Sequence, residues 1–269
     1  MRFITFAVLA LFLACIPVAR AEISDAHAGK AATAAKKAVE YLRTTQQPNG
    51  SWSKRAAPAV TALVAAALLE EPSVKRDDPM VTKAIDFILA SAKEDGSIHD
   101  GVLETYSTSI CLTALAKAGN DPKVAAAVKK GRDYLKQSQW TNQTDPDGKK
   151  VDKDHLFYGG TGYGKGGRPD ASNTHFVVEA FIETGSDCKD PEIVAAVAFF
   201  SRLQGIKSNK ALGDKIQQDG GAIYAPSEGK GAQAGPKSAA GEIVEDGKSV
   251  LRTYGSMTYA MFKTYGASE

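Results

Sequence analysis

Cysteine, histidine and tryptophan are scarce in this chain. Its 269 residues include three cysteines, four histidines and two tryptophans. Cys15 lies in an apolar stretch near the N-terminus, which leaves Cys111 and Cys188. Two cysteines make neither a disulfide framework nor a four-thiolate zinc site. His27, His99, His155 and His175 show no metal-ligand spacing with them. No metal and no cofactor is expected, and two free thiols are expected in preference to a bridge. No apolar run reaches the ~20 residues of a membrane helix. Phe3 to Ile16 is too short, and Pro58 to Leu69 is flanked by Lys54-Arg55 and Glu70-Glu71. An excess of one charge is missing too. The formal net charge is only +2, and Arg2 and Arg20 account for it. A nucleic-acid partner therefore has no electrostatic support.

What is present begins with a leader. A short basic start, an apolar segment and Ala19-Arg20-Ala21 make a secretory signal peptide over residues 1–21. Export by a Sec-type route, to a periplasm or the extracellular medium, is the expectation. Phe12-Leu13-Ala14 is a poor lipobox, so lipid anchoring at Cys15 is not expected. Residues 22–29 read as a polar lead. Residues 30–269 read as one repeat domain: an open arc, a truncated form or half of an assembly.

The repeat is a pair of helices around a glycine-bearing turn. Ala38-Val39-Glu40-Tyr41-Leu42 resembles Ala84-Ile85-Asp86-Phe87-Ile88 and Gly131-Arg132-Asp133-Tyr134-Leu135, and more loosely Ala196-Val197-Ala198-Phe199-Phe200. The turns that follow are Gln46 to Trp52, Asp95 to Ile98, Asp145 to Gly148 and Gln217 to Tyr224. Outer helices are predicted over Lys30–Arg43, Met80–Ala92, Lys123–Lys136 and Glu192–Leu203. The last three follow Asp-Pro pairs that suit an N-cap and the first helical position. Pro58–Leu69 is apolar all round, as an inner helix buried on both sides would be. Three second helices end at Gly119, Gly185 and Gly266, which fits a left-handed C-terminal cap. Gly229 to Gly247 reads as a long loop, and a helix resumes over Ser249–Gly266.

Gln46, Gly50 and Trp52 match a Q-x-x-x-G-x-W pattern. This resembles the QW motif of the prenyltransferase and squalene-cyclase repeat family. Gln217 and Gly221 repeat it, with Ile223 in place of Trp. The resemblance implies an all-α fold: an (α/α) toroid, or partial toroid, of about four helical hairpins, like that of terpenoid cyclases and protein prenyltransferases. It also implies an apolar, isoprenoid-like ligand. The family's chemistry is not carried over. The D-x-D-D acid of the cyclases is missing, since Asp152-Lys153-Asp154-His155 lacks the last Asp. The Asp/Cys/His zinc set of the transferases is missing as well. A non-catalytic binding or scaffold module is therefore expected, with an apolar small molecule or a protein as partner. An isoprenoid or terpenoid cyclase or transferase is the alternative, and a toroid-type polysaccharide lyase is the second.

The glycine-rich segment from Tyr158 to Asp170 is the least ordinary stretch. No strand precedes it and no G-K-[ST] ends it, so it is not a P-loop. It reads as an excursion over one mouth of the toroid. Aligning the Gly-terminated helices groups Thr105, Ala171 and Arg252, then Ser107, Asn173 and Tyr254, then Ser109, His175 and Ser256. A ligand site is expected where these helix starts converge. It would comprise Asn173, His175, Arg252 and Tyr254, with Tyr163, Arg168 and Asp170 added by the loop. No catalytic residue is assigned.

Overall fold

The computed structural model describes residues 24–268; the expected leader, with Cys15, lies outside them. Among the described residues the helices are α1 (Asp25–Thr45), α2 (Ala57–Glu70), α3 (Pro79–Ala90), α4 (Glu104–Ala118), α5 (Pro122–Ser138), α6 (Ala171–Glu183), α7 (Pro191–Leu203) and α8 (Gly255–Gly266). A hairpin of β1 (Glu242–Glu245) and β2 (Lys248–Leu251) precedes α8. The inner helices α2, α4, α6 and α8 pack in series. The outer helices α3, α5 and α7 lie against them. The expected all-α architecture of four hairpins is what the chain forms, as an open arc, a partial toroid.

Apolar periodicity decides which helix lies inside. α4 buries nine residues, among them Cys111, Leu112 and Leu115, because it is covered on both flanks. These pack with Ala62, Ala65, Val177 and Phe181 in the main core. Phe199, Phe200, Ile216, Ile223 and Met261 make a second cluster under α7 and α8. α1 is different: it buries no residue. It begins at Asp25, not Lys30, so part of the expected polar lead is helical. Ala31, Ala34 and Ala38 are exposed.

The Asp-Pro pairs act as expected at two starts. Asp78 accepts from Met80 N and Asp121 from Lys123 N. Asp190 instead turns its carboxylate back to Asp187 N at 3.1 Å. Gly119 and Gly185 have positive φ, but Gly266 lies inside the last turn of α8 and Ala267 follows it. Cys111 is buried and free, and Cys188 is free and partly exposed, its thiol donating to Asp187. Burial pushes the Cys111 thiol far up.

One corner recurs between outer and inner helices. Gln46 Nε2 donates to Gly50 O at 3.0 Å and to Met80 O at 2.9 Å, in the first turn of α3. The Trp52 indole donates to Leu42 O at 2.8 Å and closes α1. In the third hairpin this work falls to Gln139, which donates to Gly159 O and to Glu192 O in α7, both at 2.9 Å. In the fourth it falls to Gln204, whose amide reaches Gly220 O at 3.1 Å. The expected pair Gln217 and Gly221 is therefore displaced. Insertions separate each later Gln from its glycine, so the nearest Gln in sequence is the wrong one. Gly221 instead lies against Thr253 and Thr258, where a Cβ would collide. The Asp145–Gly148 turn, likewise, is part of the insertion and not the corner.

Candidate functional site

Threonines fix the register at the inner-helix starts. Thr108 Oγ1 accepts from Ile98 N at 2.9 Å and donates to Glu104 O at 2.7 Å. Thr174 does the same with Thr161 N, at 3.0 Å, and Asp170 O, at 2.7 Å. Thr258 takes Ala222 N, at 3.1 Å, and Tyr254 O, at 3.0 Å. Glu104, Asp170 and Tyr254 are thus equivalent positions. The expected grouping of Ser107 with Asn173 holds, but Tyr254 belongs three positions earlier. The reason is Gly266: it lies within its helix, so counting back from it shifts α8.

The third-turn insertion carries the glycine segment to this end. Trp140, Val151 and Phe157 form a small core of their own, and the Trp140 indole donates to Gly167 O at 2.9 Å. Thr161 pairs with Asp170 in an isolated antiparallel bridge. Asp170 then caps α6. Its carboxylate accepts from Asn173 N at 2.8 Å and from Asn173 Nδ2 at 2.9 Å, and both residues are fully buried. Burial pushes the Asp170 carboxyl up; Asn173, the Arg168 charge and the Tyr224 hydroxyl offset this only in part. Arg168 donates to Ser227 O at 2.8 Å and lies 5.5 Å over the Tyr224 ring.

Tyrosines surround this buried acid. The Tyr163 and Tyr224 hydroxyls are 3.3 Å apart. Tyr106 stacks on Tyr163 at 6.5 Å and packs on Phe176 at 4.4 Å. Burial, then the Asp170 charge, raises the Tyr254 phenol; burial, with Tyr163 and Asp170 contributing, raises Tyr106. The same end exposes apolar side chains: Tyr163 at 43%, Leu103 at 41% and Val102 at 40%. Leu103, just before α4, holds a left-handed backbone at φ 53°, which is strained for a non-glycine residue.

The structure therefore brings together Tyr163, Arg168, Asp170, Asn173 and Tyr254. It separates two of the expected residues from them. His175 faces the groove between α6 and α8, 3.6 Å from Glu179, which Lys263 also pairs. Arg252 is exposed and lines another groove, with Asp219, Gly220 and Phe262, which meets the site only at Tyr254. Arg252 is displaced by the three-position shift of α8, and His175, five residues beyond Asp170, falls on another face of α6. Tyr106 and Tyr224 join the site without having been expected. An aromatic one residue beyond Thr105 was visible, but nothing in the sequence tied it to the glycine segment.

Chemically, Asp170 is a poor proton donor for a ligand. It has no exposed surface, and Asn173 bonds its oxygens. Among the described residues no group of three or more acidic, histidine or cysteine side chains is placed to hold a metal ion. No helix among them is long and apolar enough to cross a membrane.

The fold defines an all-α hairpin-repeat protein with an aromatic surface at the inner-helix starts. No family model matches the sequence, and no curated protein matches it. Among solved structures the chain is similar to an ent-copalyl diphosphate synthase from Streptomyces platensis, at 24% identity and a TM-score of 0.39. That match covers 58% of this chain and 28% of the synthase, so the chain spans under a third of that protein's length. So loose a likeness carries no argument about activity.

Proposed function

We propose that the chain is an exported binding module for an apolar, isoprenoid-like molecule, taken up at the inner-helix starts. The observation that supports this is the aromatic and apolar surface of Val102, Leu103, Tyr106, Tyr163 and Phe176 around an acid already spent on its own helix. Exposed apolar side chains gathered at one place favour a binding role over solvation. Asp170 orders the floor and the tyrosines offer contact area. The alternative, an isoprenoid cyclase, draws on the raised Asp170 carboxyl among aromatic rings.

Native mass spectrometry of the protein from its own producing cells tests both export and binding. The expected result is a chain starting at Glu22 with an isoprenoid-sized mass attached. Farnesol titrated into purified protein should bind, and Tyr163→Ala and Leu103→Asp should each weaken it about tenfold with an unchanged circular dichroism spectrum. A chain that retains residues 1–21 removes export. Farnesol affinity indifferent to both substitutions removes this site. Conversion of an isoprenoid by the native protein, lost in Asp170→Asn, would favour the cyclase.

A further inference from the structure

His175 is a titratable side chain that the ligand site leaves unused. It lies on α6 where α8 packs, in a groove of about 220 Å³ that also takes in Val178, Ile182 and Thr264. Its side chain is only 13% exposed. Nε2 stands 3.6 Å from Glu179 Oε1, whereas Nδ1 is buried and meets no partner among the described residues. A neutral ring fits these surroundings. Its one N–H sits on Nε2 and faces the Glu179 carboxylate, and Nδ1 keeps a lone pair. An imidazolium does not fit, because its second N–H would be buried on Nδ1 with no acceptor.

The acids around the ring already have cations. On α6 the groove holds Glu179 and Glu183, and on α8 it holds Lys263; α5 and α7, which also flank α6, place no side chain in it. Glu179 pairs with Lys263. Glu183 lies two turns further on, about 12 Å along the helix. It pairs at 3.3 Å with Lys117 of α4, which also pairs with Glu70. A proton on His175 would therefore bring a second cation to Glu179, in competition with Lys263. Burial accordingly holds the ring's pKa below its ordinary value; Glu179 opposes this and Lys263 adds to it. Among the described residues the Glu179–Lys263 pair is the one polar link between the side chains of α6 and α8. Its loss reaches the ligand site, because Tyr254 is the N-cap of α8 and Asp170 the N-cap of α6. A shift of α8 against α6 moves one cap against the other.

We infer that this groove is an acid-operated joint: protonation of His175 draws Glu179 from Lys263, loosens α8 from α6 and so weakens binding at the inner-helix starts. The joint stands on the groove alone, and its effect on affinity rests on the proposed ligand site. The closed groove takes up a proton less readily than the open one, where the ring regains its ordinary value of 6.5. The α6–α8 contact is thus complete above that value and is lost as pH falls below it.

Amide exchange on the whole protein, corrected for the intrinsic pH dependence of exchange, reads the joint without a ligand. Opening of α8 should be up to about tenfold more frequent at about pH 5.5 than at about pH 7.5, the most that one proton adds over a pH unit below its pKa. α4 should not change. His175→Gln should remove the difference. Lys263→Gln, at an exposed position, should reduce it, because Glu179 is then free to accept from the protonated ring. Farnesol should bind the wild type about twofold or more weakly at the lower pH, and His175→Gln equally at both. An α8 that opens alike at both pH values would overturn the joint. So would a difference that His175→Gln retains or that Lys263→Gln leaves untouched. Farnesol affinity indifferent to pH while α8 loosens would overturn the link to the site. Absence of farnesol binding at either pH would remove the ligand site, and with it the effect on affinity, while the exchange data still decide the joint.

Discussion

Gln139 and Gln204 perform the same task in different surroundings. Gln139 is buried and bridges Gly159 O to Glu192 O; Gln204 is half-buried, donates only to Gly220 O and accepts a long bond from the Tyr265 hydroxyl at 3.4 Å. Removing the first strands two carbonyls inside the protein, at about 1–3 kcal/mol for each group left unsatisfied. Removing the second exposes one carbonyl that water can reach. Gln139→Ala should therefore lower the urea midpoint clearly more than Gln204→Ala. Equal losses would mean that the glutamine stiffens its turn and does not join hairpins. His175 offers a second residue-scale test, of pH. Burial lowers its pKa; Glu179 opposes this and Lys263 adds to it. The folded state thus prefers the neutral ring, while the unfolded chain protonates near its ordinary 6.5. The stabilisation is full above that value and is lost as pH falls below it. Urea midpoints taken at about pH 7.5 and pH 5.5 should differ more for the wild type than for His175→Gln. A variant with the same slope would assign the loss to other groups.

Helices carried most of what could be read from the chain. α2 is apolar on all sides and is an inner helix, and the Asp-Pro pairs mark three outer-helix starts. The corners were harder, because insertions place Gln139 and Gln204 far from their glycines. A usable signal was nonetheless present: Tyr41, Tyr134 and Phe199 each stand five residues before the corner glutamine. The hairpin of β1 and β2 was hidden by its glycine-rich surroundings, although Asp246-Gly247 is a strong two-residue turn and both take positive φ. The site was half legible. Loop residues that touch Asp170 were found by proximity in sequence, whereas Tyr106 and Tyr224 arrive from other hairpins and no local pattern links them. The corners themselves give a prediction at this scale. Gly159→Ala puts a methyl into the α7 backbone as well as straining a left-handed position; Gly220→Ala only strains, at about 1 kcal/mol. The first should unfold at a much lower temperature than the second. If both lose the same, contact with the next helix is not what the corner glycine serves.

Across the whole arc, burial is graded. α4 and α6 stand in the middle, covered on both flanks, and supply much of the main core. α1 at one end buries nothing, and at the other end α8 buries only Ala260, Met261 and Thr264. A repeat protein is stabilised by nearest-neighbour contacts, so its ends open more readily than its centre. Amide hydrogen exchange on dilute protein should follow that order. α4 and α6 should exchange through global unfolding, α8 sooner, and the first half of α1 soonest, since its anchors lie at Leu42 and Arg43. Uniform exchange along the chain at low concentration would instead mean that the arc unfolds as a single unit, with no gradient from centre to ends.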